Sequence, residues 1–374
     1  MQPRNPHEQH RAATPLELLF DLCFVVAIAS GAGELHHALS HGEVAGPIIS
    51  YLLVFFAIWW AWMNYTWFAS AYDPDDTLHR LGVLVQMGGV LVLAAGVPQA
   101  FEHHNFRVVT AGYVIMRLAL ISQWLRAAHC DPARRTTARR YAGGLFVVQL
   151  GWVALALLPV HLWAYFFLGM APAELLVPVW AERAEPTPWH PGHIAERYGL
   201  LTLIVLGEVV LSTARAIQAG LEAGLSGPLL AATAVGALLT LFSMWWLYFL
   251  HPAEECLTHQ VAFLWGYGHY AIFASAAAVG AGLAAATEQL THHGQVDQGM
   301  AIALPAAIYI VMVWVLQLRP GASRATALVC VAGAVLVLVA GASPRPILSI
   351  GLMLALLAAA VTLSCPVAGR AQTD

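Results

Sequence analysis

Long apolar runs, broken by glycine, proline or charge, make up almost the whole chain. Only 10% of the residues are charged and 59% are hydrophobic, whereas a soluble domain has about 25% charged residues. Because irregular backbone cannot face lipid, each run must be helical to cross a bilayer. The pattern predicts an all-α polytopic membrane protein with twelve transmembrane helices, at about residues 15–38, 47–70, 80–98, 107–128, 142–160, 162–180, 195–217, 227–250, 261–285, 299–318, 325–342 and 346–364.

The arginines predict which ends of these helices face the cytoplasm. If the N-terminus is inside, most arginines fall at cytoplasmic ends and loops, and only Arg107, Arg215 and Arg345 fall on the opposite side. This asymmetry agrees with the positive-inside rule. We therefore expect a multi-pass membrane protein with both termini in the cytoplasm.

The two halves of the chain resemble each other. Trp59-Trp60 recurs as Trp245-Trp246, and Gly96 as Gly282, at one common displacement of almost half the chain. An even number of spans per half would make the copies parallel, as in some transporters; chance matching in Ala/Leu/Val-rich text is the alternative. The duplication predicts a cytoplasmic tail at 1–14, six-helix repeats at 15–180 and 195–364 joined by a cytoplasmic linker at 181–194, and a second tail at 365–374.

A carboxylate, Glu208, lies near the middle of the seventh predicted span. A charge there costs roughly 2.5 to 3.5 kcal/mol on insertion scales and usually marks a binding site or an ion pathway. Glu196 and Arg197 stand at the cytoplasmic mouth of the same span, and at 100° per residue Arg197, Glu208 and Arg215 share one face. The alternative is a hydrogen-bonded carboxylate that serves only helix packing.

The first span begins with a helix-capping pattern and then buries an acid. Thr14, Pro15 and Glu17 have the spacing of a capping box with proline at the first helical position. Glu17 is therefore either a cap residue or part of a polar site. Asp21 lies one turn deeper on the same face and is a candidate for a cation- or proton-responsive group.

Three further polar residues lie inside predicted spans. Arg117 stays protonated and needs an anion, so we expect it to pair with Asp21 or Glu208. His269 could relay protons, although a lone buried histidine is more often simply hydrogen-bonded. Gln86 could line the same polar centre.

Several classes of function are excluded or disfavoured by composition. A net charge of −4 with no basic block leaves no surface for nucleic acid. The five cysteines are far apart and give neither metal-ligand spacing nor a disulfide framework. No phosphate loop, zinc-protease motif or nucleophile elbow is present, so an enzyme acting on lipid ranks last, and no cofactor or metal is expected.

Two segments resemble the signature sequences of the bacterial low-temperature-requirement protein A family. They are Thr-Pro-Leu-Glu-Leu-Leu-Phe-Asp-Leu-Cys-Phe-Val-Val-Ala-Ile at 14–28 and Glu-Arg-Tyr-Gly-Leu-Leu-Thr-Leu-Ile-Val-Leu-Gly-Glu at 196–208. The resemblance extends to about residue 318, and Cys23 stands where an aliphatic residue is expected. It implies a polytopic bacterial inner-membrane protein named for a growth phenotype in the cold, without implying a biochemical activity. The family pattern carries over to Glu17, Phe20, Asp21, Arg117, Glu196, Arg197, Gly207, Glu208 and His269.

Together these observations favour a transporter or ion-translocating protein with a charged site inside the membrane. Its partners would be the lipid bilayer and a proton, a cation or a small molecule. The alternative is a membrane scaffold or stress factor in which the buried charges only fix helix packing.

Overall fold

The computed structural model describes residues 1–5, 8, 11–42, 44–159, 162–258, 261–292, 299–319 and 323–364. The predicted C-terminal tail at 365–374 lies outside them. Twelve α-helices follow one another within the described ranges: α1 Pro15–Ser40, α2 Ala45–Ala71, α3 Thr77–Glu102, α4 Arg107–Cys130, α5 Arg135–Leu157, α6 Trp163–Glu182, α7 Pro191–Glu222, α8 Gly227–Tyr248, α9 Ala262–His292, α10 Gly299–Val313, α11 Arg324–Gly341 and α12 Pro346–Ser364.

The all-helical membrane fold is confirmed. Within the described residues, eleven helices are long and apolar enough to cross a membrane. They are all the helices except α6, with α10 counted together with its continuation to Leu318. Helices satisfy their own backbone hydrogen bonds, so such runs need no partner strand in lipid.

Helix ends were the least accurate part of the prediction. The prediction began the fifth helix at residue 142, whereas α5 begins at Arg135, and it began the seventh at 195, whereas α7 begins at Pro191. Hydropathy marks only the part of a helix that crosses the apolar layer. The backbone hydrogen bonds continue into the polar interface, where arginine and histidine are tolerated.

The chain divides into two compact units, which we describe separately. Unit 1 comprises Met1–Glu34 and Ile49–Tyr198, and unit 2 comprises Leu35–Ile48 and Gly199–Asp374. The boundaries therefore fall inside α1, α2 and α7. The predicted duplication into 15–180 and 195–364 stays a prediction.

Unit 1 is held together partly by close contact between α3 and α4. A Cβ atom added at Gly112 would lie 2.4 Å from the backbone nitrogen of Leu93 and 2.5 Å from the carbonyl oxygen of Gly89. Only glycine permits such an approach of two helix backbones. The N-terminal ends of α1, α3 and α7 and the C-terminal end of α2 meet at one end of this unit, which we call the α1–α7 end.

Unit 2 uses the same small-residue packing. A Cβ atom at Gly236 of α8 would lie 2.4 Å from the carbonyl oxygen of Ile347 in α12, and one at Gly282 of α9 would lie 2.4 Å from the carbonyl oxygen of Ala301 in α10. The helix that begins as α10 continues as a π-helical turn, Trp314–Leu318. Such turns are rare and often lie at functional sites.

Candidate functional site

Four buried charged or titratable side chains meet at the α1–α7 end of unit 1, and we call them the α1–α7 ion centre: Glu17, Asp21, His193 and Arg197. Arg197 donates from Nη1 to Oε1 of Glu17 at 2.7 Å, and from Nη2 and Nε to the two carboxylate oxygens of Asp21 at 2.6 and 3.1 Å. Nε2 of His193 lies 3.1 Å from Oε1 of Glu17. None of the four is more than 1% exposed. This is a charge cluster sealed from bulk water.

Local helix geometry builds this centre from two matching pairs. Glu17 and Asp21 are four residues apart on α1, and His193 and Arg197 are four residues apart on α7, so each pair points to one side of its helix. The indole Nε1 of Trp62 on α2 donates to Oδ1 of Asp21 at 2.7 Å. Asp21 is therefore held by a guanidinium and an indole, in a fixed orientation.

Glu17 fills both of the roles that the sequence left open. Its Oε2 accepts the backbone N–H of Thr14 at 2.8 Å, while its own N–H donates to Oγ1 of Thr14 at 3.3 Å. This reciprocal pair is a capping box and confirms the predicted start of α1. The other carboxylate oxygen accepts from Arg197, so one side chain both caps the start of α1 and joins the ion centre.

A second layer of charge lies beside the ion centre. Asp73, in the α2–α3 connection, lies 3.7 Å from Nη2 of Arg11 and 3.5 Å from Nε2 of His79. Arg11 also donates to the carbonyl oxygens of Ser70 and Ala69 at the C-terminal end of α2. Burial raises the pKa of Asp73, and the nearby negative charge of Glu17 raises it further. Burial lowers the pKa of Arg11. Burial, opposed by the charges of His79 and Arg11, thus makes the ionised form of Asp73 costlier than it is in water.

A separate centre lies deeper in unit 1, around Glu174 of α6. Its Oε1 accepts the indole N–H of Trp60 at 2.7 Å, the hydroxyl of Tyr113 at 3.3 Å and the guanidinium Nη2 of Arg117. Its Oε2 accepts the indole N–H of Trp152 at 2.6 Å. Four donors satisfy this carboxylate, and its charge is balanced by one arginine. We call this set the Glu174 centre.

The predicted pairing of Arg117 is wrong. The structure gives it Glu174 as its ion-pair partner, in place of Asp21 or Glu208. The amide nitrogen of Gln86 lies 3.5 Å from Oε1 of Gln123. Glu196 accepts the backbone N–H of Ala13 at 3.2 Å and so holds the N-terminal segment.

The two candidates in unit 2 have different surroundings. His269 is fully buried, with Nδ1 2.7 Å from the carbonyl oxygen of Trp265 and Nε2 3.1 Å from the hydroxyl of Tyr248. Because a carbonyl only accepts, Nδ1 carries the proton and Nε2 accepts from the tyrosine, so His269 is a satisfied core histidine. Glu208 is half-buried against Gly280, and no hydrogen bond or ion pair within the described residues holds its carboxylate.

Sequence reasoning missed two important residues. Glu174 stands alone in an apolar run, Leu-Gly-Met-Ala-Pro-Ala-Glu-Leu-Leu-Val-Pro, so the argument applied to Glu208 would have selected it. His193 was excluded because α7 was started too late. Pro191, a residue favoured at the first turn of a helix, was the available signal. Three tryptophans, Trp60, Trp62 and Trp152, also donate hydrogen bonds to these buried acids.

The fold and these buried ion pairs define an all-helical, multi-span membrane protein with charged centres among its helices. Residues 12–364 match the family described as "Bacterial low temperature requirement A protein (LtrA)". The chain therefore belongs to the LtrA family, as the two signature segments predicted. It is also 28% identical over 286 residues to an uncharacterised protein of Rhizobium meliloti (strain 1021), a match that covers 71% of this chain and 67% of that protein.

Proposed function

We propose that this LtrA-family protein is a transporter or ion-translocating protein, and that its α1–α7 ion centre takes up a proton or another cation. The observation that carries this proposal is the charge balance of the buried cluster. Three carboxylates, Glu17, Asp21 and Asp73, face two arginines, Arg11 and Arg197. One negative charge is therefore left without a permanent counter-charge.

An uncompensated charge in a low-dielectric interior is costly, so the cluster acquires a positive charge in one of three ways. A proton binds to one carboxylate, a proton binds to His79 or His193, or a cation enters. Each is reversible, and each makes the centre respond to the ion concentration or to the membrane potential. Permanent ion pairs such as Arg117–Glu174 lack this property.

Glu208 supplies a further carboxylate for the same function. It lies further along α7, the helix that carries His193 and Arg197, and has no ion-pair or hydrogen-bond partner in the described part of the chain. A half-buried acid inside a transmembrane helix usually marks an ion or substrate pathway. We propose that it is a further station for the translocated ion.

We extend the proposal to cellular placement. The protein would be a multi-pass component of the bacterial inner membrane, with both termini in the cytoplasm, in keeping with the arginine distribution. The α1–α7 end, which includes the N-terminal segment, would then face the cytoplasm. The lipid bilayer and the translocated ion are its proposed partners.

A membrane scaffold is the second candidate, and the Glu174 centre favours it. Its acid is satisfied by four donors and balanced by Arg117, which is what a static lock between helices requires. A scaffold would need no excess charge at the α1–α7 ion centre.

Flux measurements in proteoliposomes separate the two functions. Proton and cation flux is measured under an imposed membrane potential for the wild type, Asp21→Asn and Glu208→Gln, with Asp75→Asn as the matched control, since Asp75 is 63% exposed in a surface pair with Arg80. Transport predicts flux that both buried substitutions reduce strongly in folded protein and the control leaves unchanged. Absence of flux in the wild type, with only altered thermal stability in the variants, would favour the scaffold.

A further inference from the structure

Besides Nε2 of His193, which lies beside Glu17, four buried polar atoms around the α1–α7 ion centre have no hydrogen-bond partner within the described residues. They are the hydroxyls of Tyr65 and Thr66 on α2, Nδ1 of His79 on α3 and Nδ1 of His193 on α7. All four side chains are at most 1% exposed. Native interiors rarely leave such groups unsatisfied, and ordered internal water is the usual partner where the site is polar.

These atoms lie between the two charged layers. On α2, Trp62 holds Asp21, Tyr65 and Thr66 follow at positions three and four further on, and Asp73 comes after the helix end, so they share one helix face. The ring of Tyr65 lies 4.2 Å from that of Phe20 and 6.4 Å from that of His79, centroid to centroid. Its hydroxyl is within electrostatic reach of Glu17 and Asp73.

We propose that a chain of internal water molecules, bound by Tyr65, Thr66, His79 and His193, connects Asp73 with the Glu17–Asp21 pair and delivers a proton to it. This inference rests on the proposed function and narrows its substrate class to the proton. Along such a chain each transfer breaks one O–H or N–H bond as the next one forms, so no other reactant is needed. Asp73 is the entry group, since its side chain is 7% exposed.

The charged and titratable groups around this water chain, the proposed proton route, favour a proton over a metal cation as the ion that is carried. Glu17 and Asp21 face it from α1, His79 from α3, and His193 and Arg197 from α7, while Arg11 and Asp73 close it at the end of α2. Within the described residues no group of three or more histidine, cysteine or acidic side chains could hold a metal ion. A proton needs no such ligand set.

The test is the rate of proton uptake after a rapid drop in pH, followed with a pH-sensitive dye on purified protein in nanodiscs. The part of the proton-uptake signal that is lost in Asp21→Asn is assigned to the ion centre, because that variant removes the excess negative charge. Tyr65→Phe removes the hydroxyl and keeps the ring. Tyr309→Phe is the matched control, since Tyr309 is equally buried in unit 2 and donates to the carbonyl oxygen of Met244.

The proposal expects Tyr65→Phe to slow the ion-centre phase on the order of tenfold or more, with its amplitude retained, and Tyr309→Phe to leave it unchanged. Sodium or potassium ions should not compete with the proton. An unchanged rate in Tyr65→Phe would overturn the route, and competition by either metal cation would overturn the choice of proton. If uptake behaves as expected while proteoliposomes show no flux, the route stands and the transport function fails.

Discussion

Removing the arginine of the α1–α7 ion centre tests the energetics of the site. Arg197→Met keeps the apolar stem and removes three charge-assisted hydrogen bonds, leaving Glu17 and Asp21 buried without an arginine to balance their charge. Breaking a buried ion pair on one side typically costs about 3–5 kcal/mol, because the remaining charge is uncompensated. With two carboxylates left behind, we expect a loss at the upper end of that range at neutral pH.

The matched control is Arg126→Met. Arg126 also makes two hydrogen bonds to one carboxylate, that of Asp76, but the side chains are 26% and 39% exposed. Solvent screening limits such a pair to about 0–1 kcal/mol. The free energy of unfolding of both variants can be measured in mixed micelles by circular dichroism as the fraction of denaturing detergent rises.

The carboxylates themselves provide a second check on this reasoning. The loss caused by Arg197→Met should shrink as the pH falls, because Glu17 and Asp21 can then take up protons in place of the guanidinium. Adding Asp21→Asn to Arg197→Met should also recover part of the loss, since neighbouring sites couple by about 0.5–3 kcal/mol. The account is refuted if Arg197→Met costs no more than Arg126→Met.

Two further predictions concern packing and surface charge. Gly112→Ala should destabilise the protein, because its Cβ would lie 2.4 Å from the backbone nitrogen of Leu93. Gly143→Ala, whose Cβ would have nothing within 4 Å, should instead stabilise the protein by about 0.5–1 kcal/mol. Thermal unfolding of the two variants tests this, and equal shifts of the unfolding temperature would contradict the close contact. The hydrogen bonds from Arg126 lower the pKa of Asp76. Their contribution to the free energy of unfolding is therefore fully present above the ordinary carboxyl pKa, and it is lost as the pH falls through the lowered pKa of Asp76. Asp76→Asn should therefore cost at most about 1 kcal/mol at neutral pH, and its difference from the wild type should vanish in acid; a difference that grows in acid would reverse this sign.

The sequence predicted the fold because lipid imposes one solution on an apolar run. It also predicted the start of α1, since Thr14, Pro15 and Glu17 carry a local signal that needs no tertiary contact. It failed at the starts of α5 and α7, where charged residues continue a helix beyond the apolar layer. Composition reports burial in lipid, and helix ends depend on capping and on contacts that composition does not encode.

The site was only partly predictable for a related reason. Asp21 and Arg197 were both selected as ionisable groups inside spans, yet their pairing joins residues on α1 and α7 that are far apart in sequence. The partner of Arg117 was missed because Glu174 was not considered as a buried acid. A single sequence shows which charges are buried; it does not show which of several acids each arginine meets.

The central claim is that Glu17, Asp21 and Asp73 carry one negative charge more than Arg11 and Arg197 balance. Counting bound protons tests it most directly. Potentiometric titration of purified wild type and Asp21→Asn against their unfolded forms gives the number of protons held by each folded protein at neutral pH. If the proton is the counter-ion, the folded wild type should hold one proton more than the folded Asp21→Asn variant. Equal numbers, unaffected by removing sodium and potassium, would show that the centre needs no additional cation and would contradict the account.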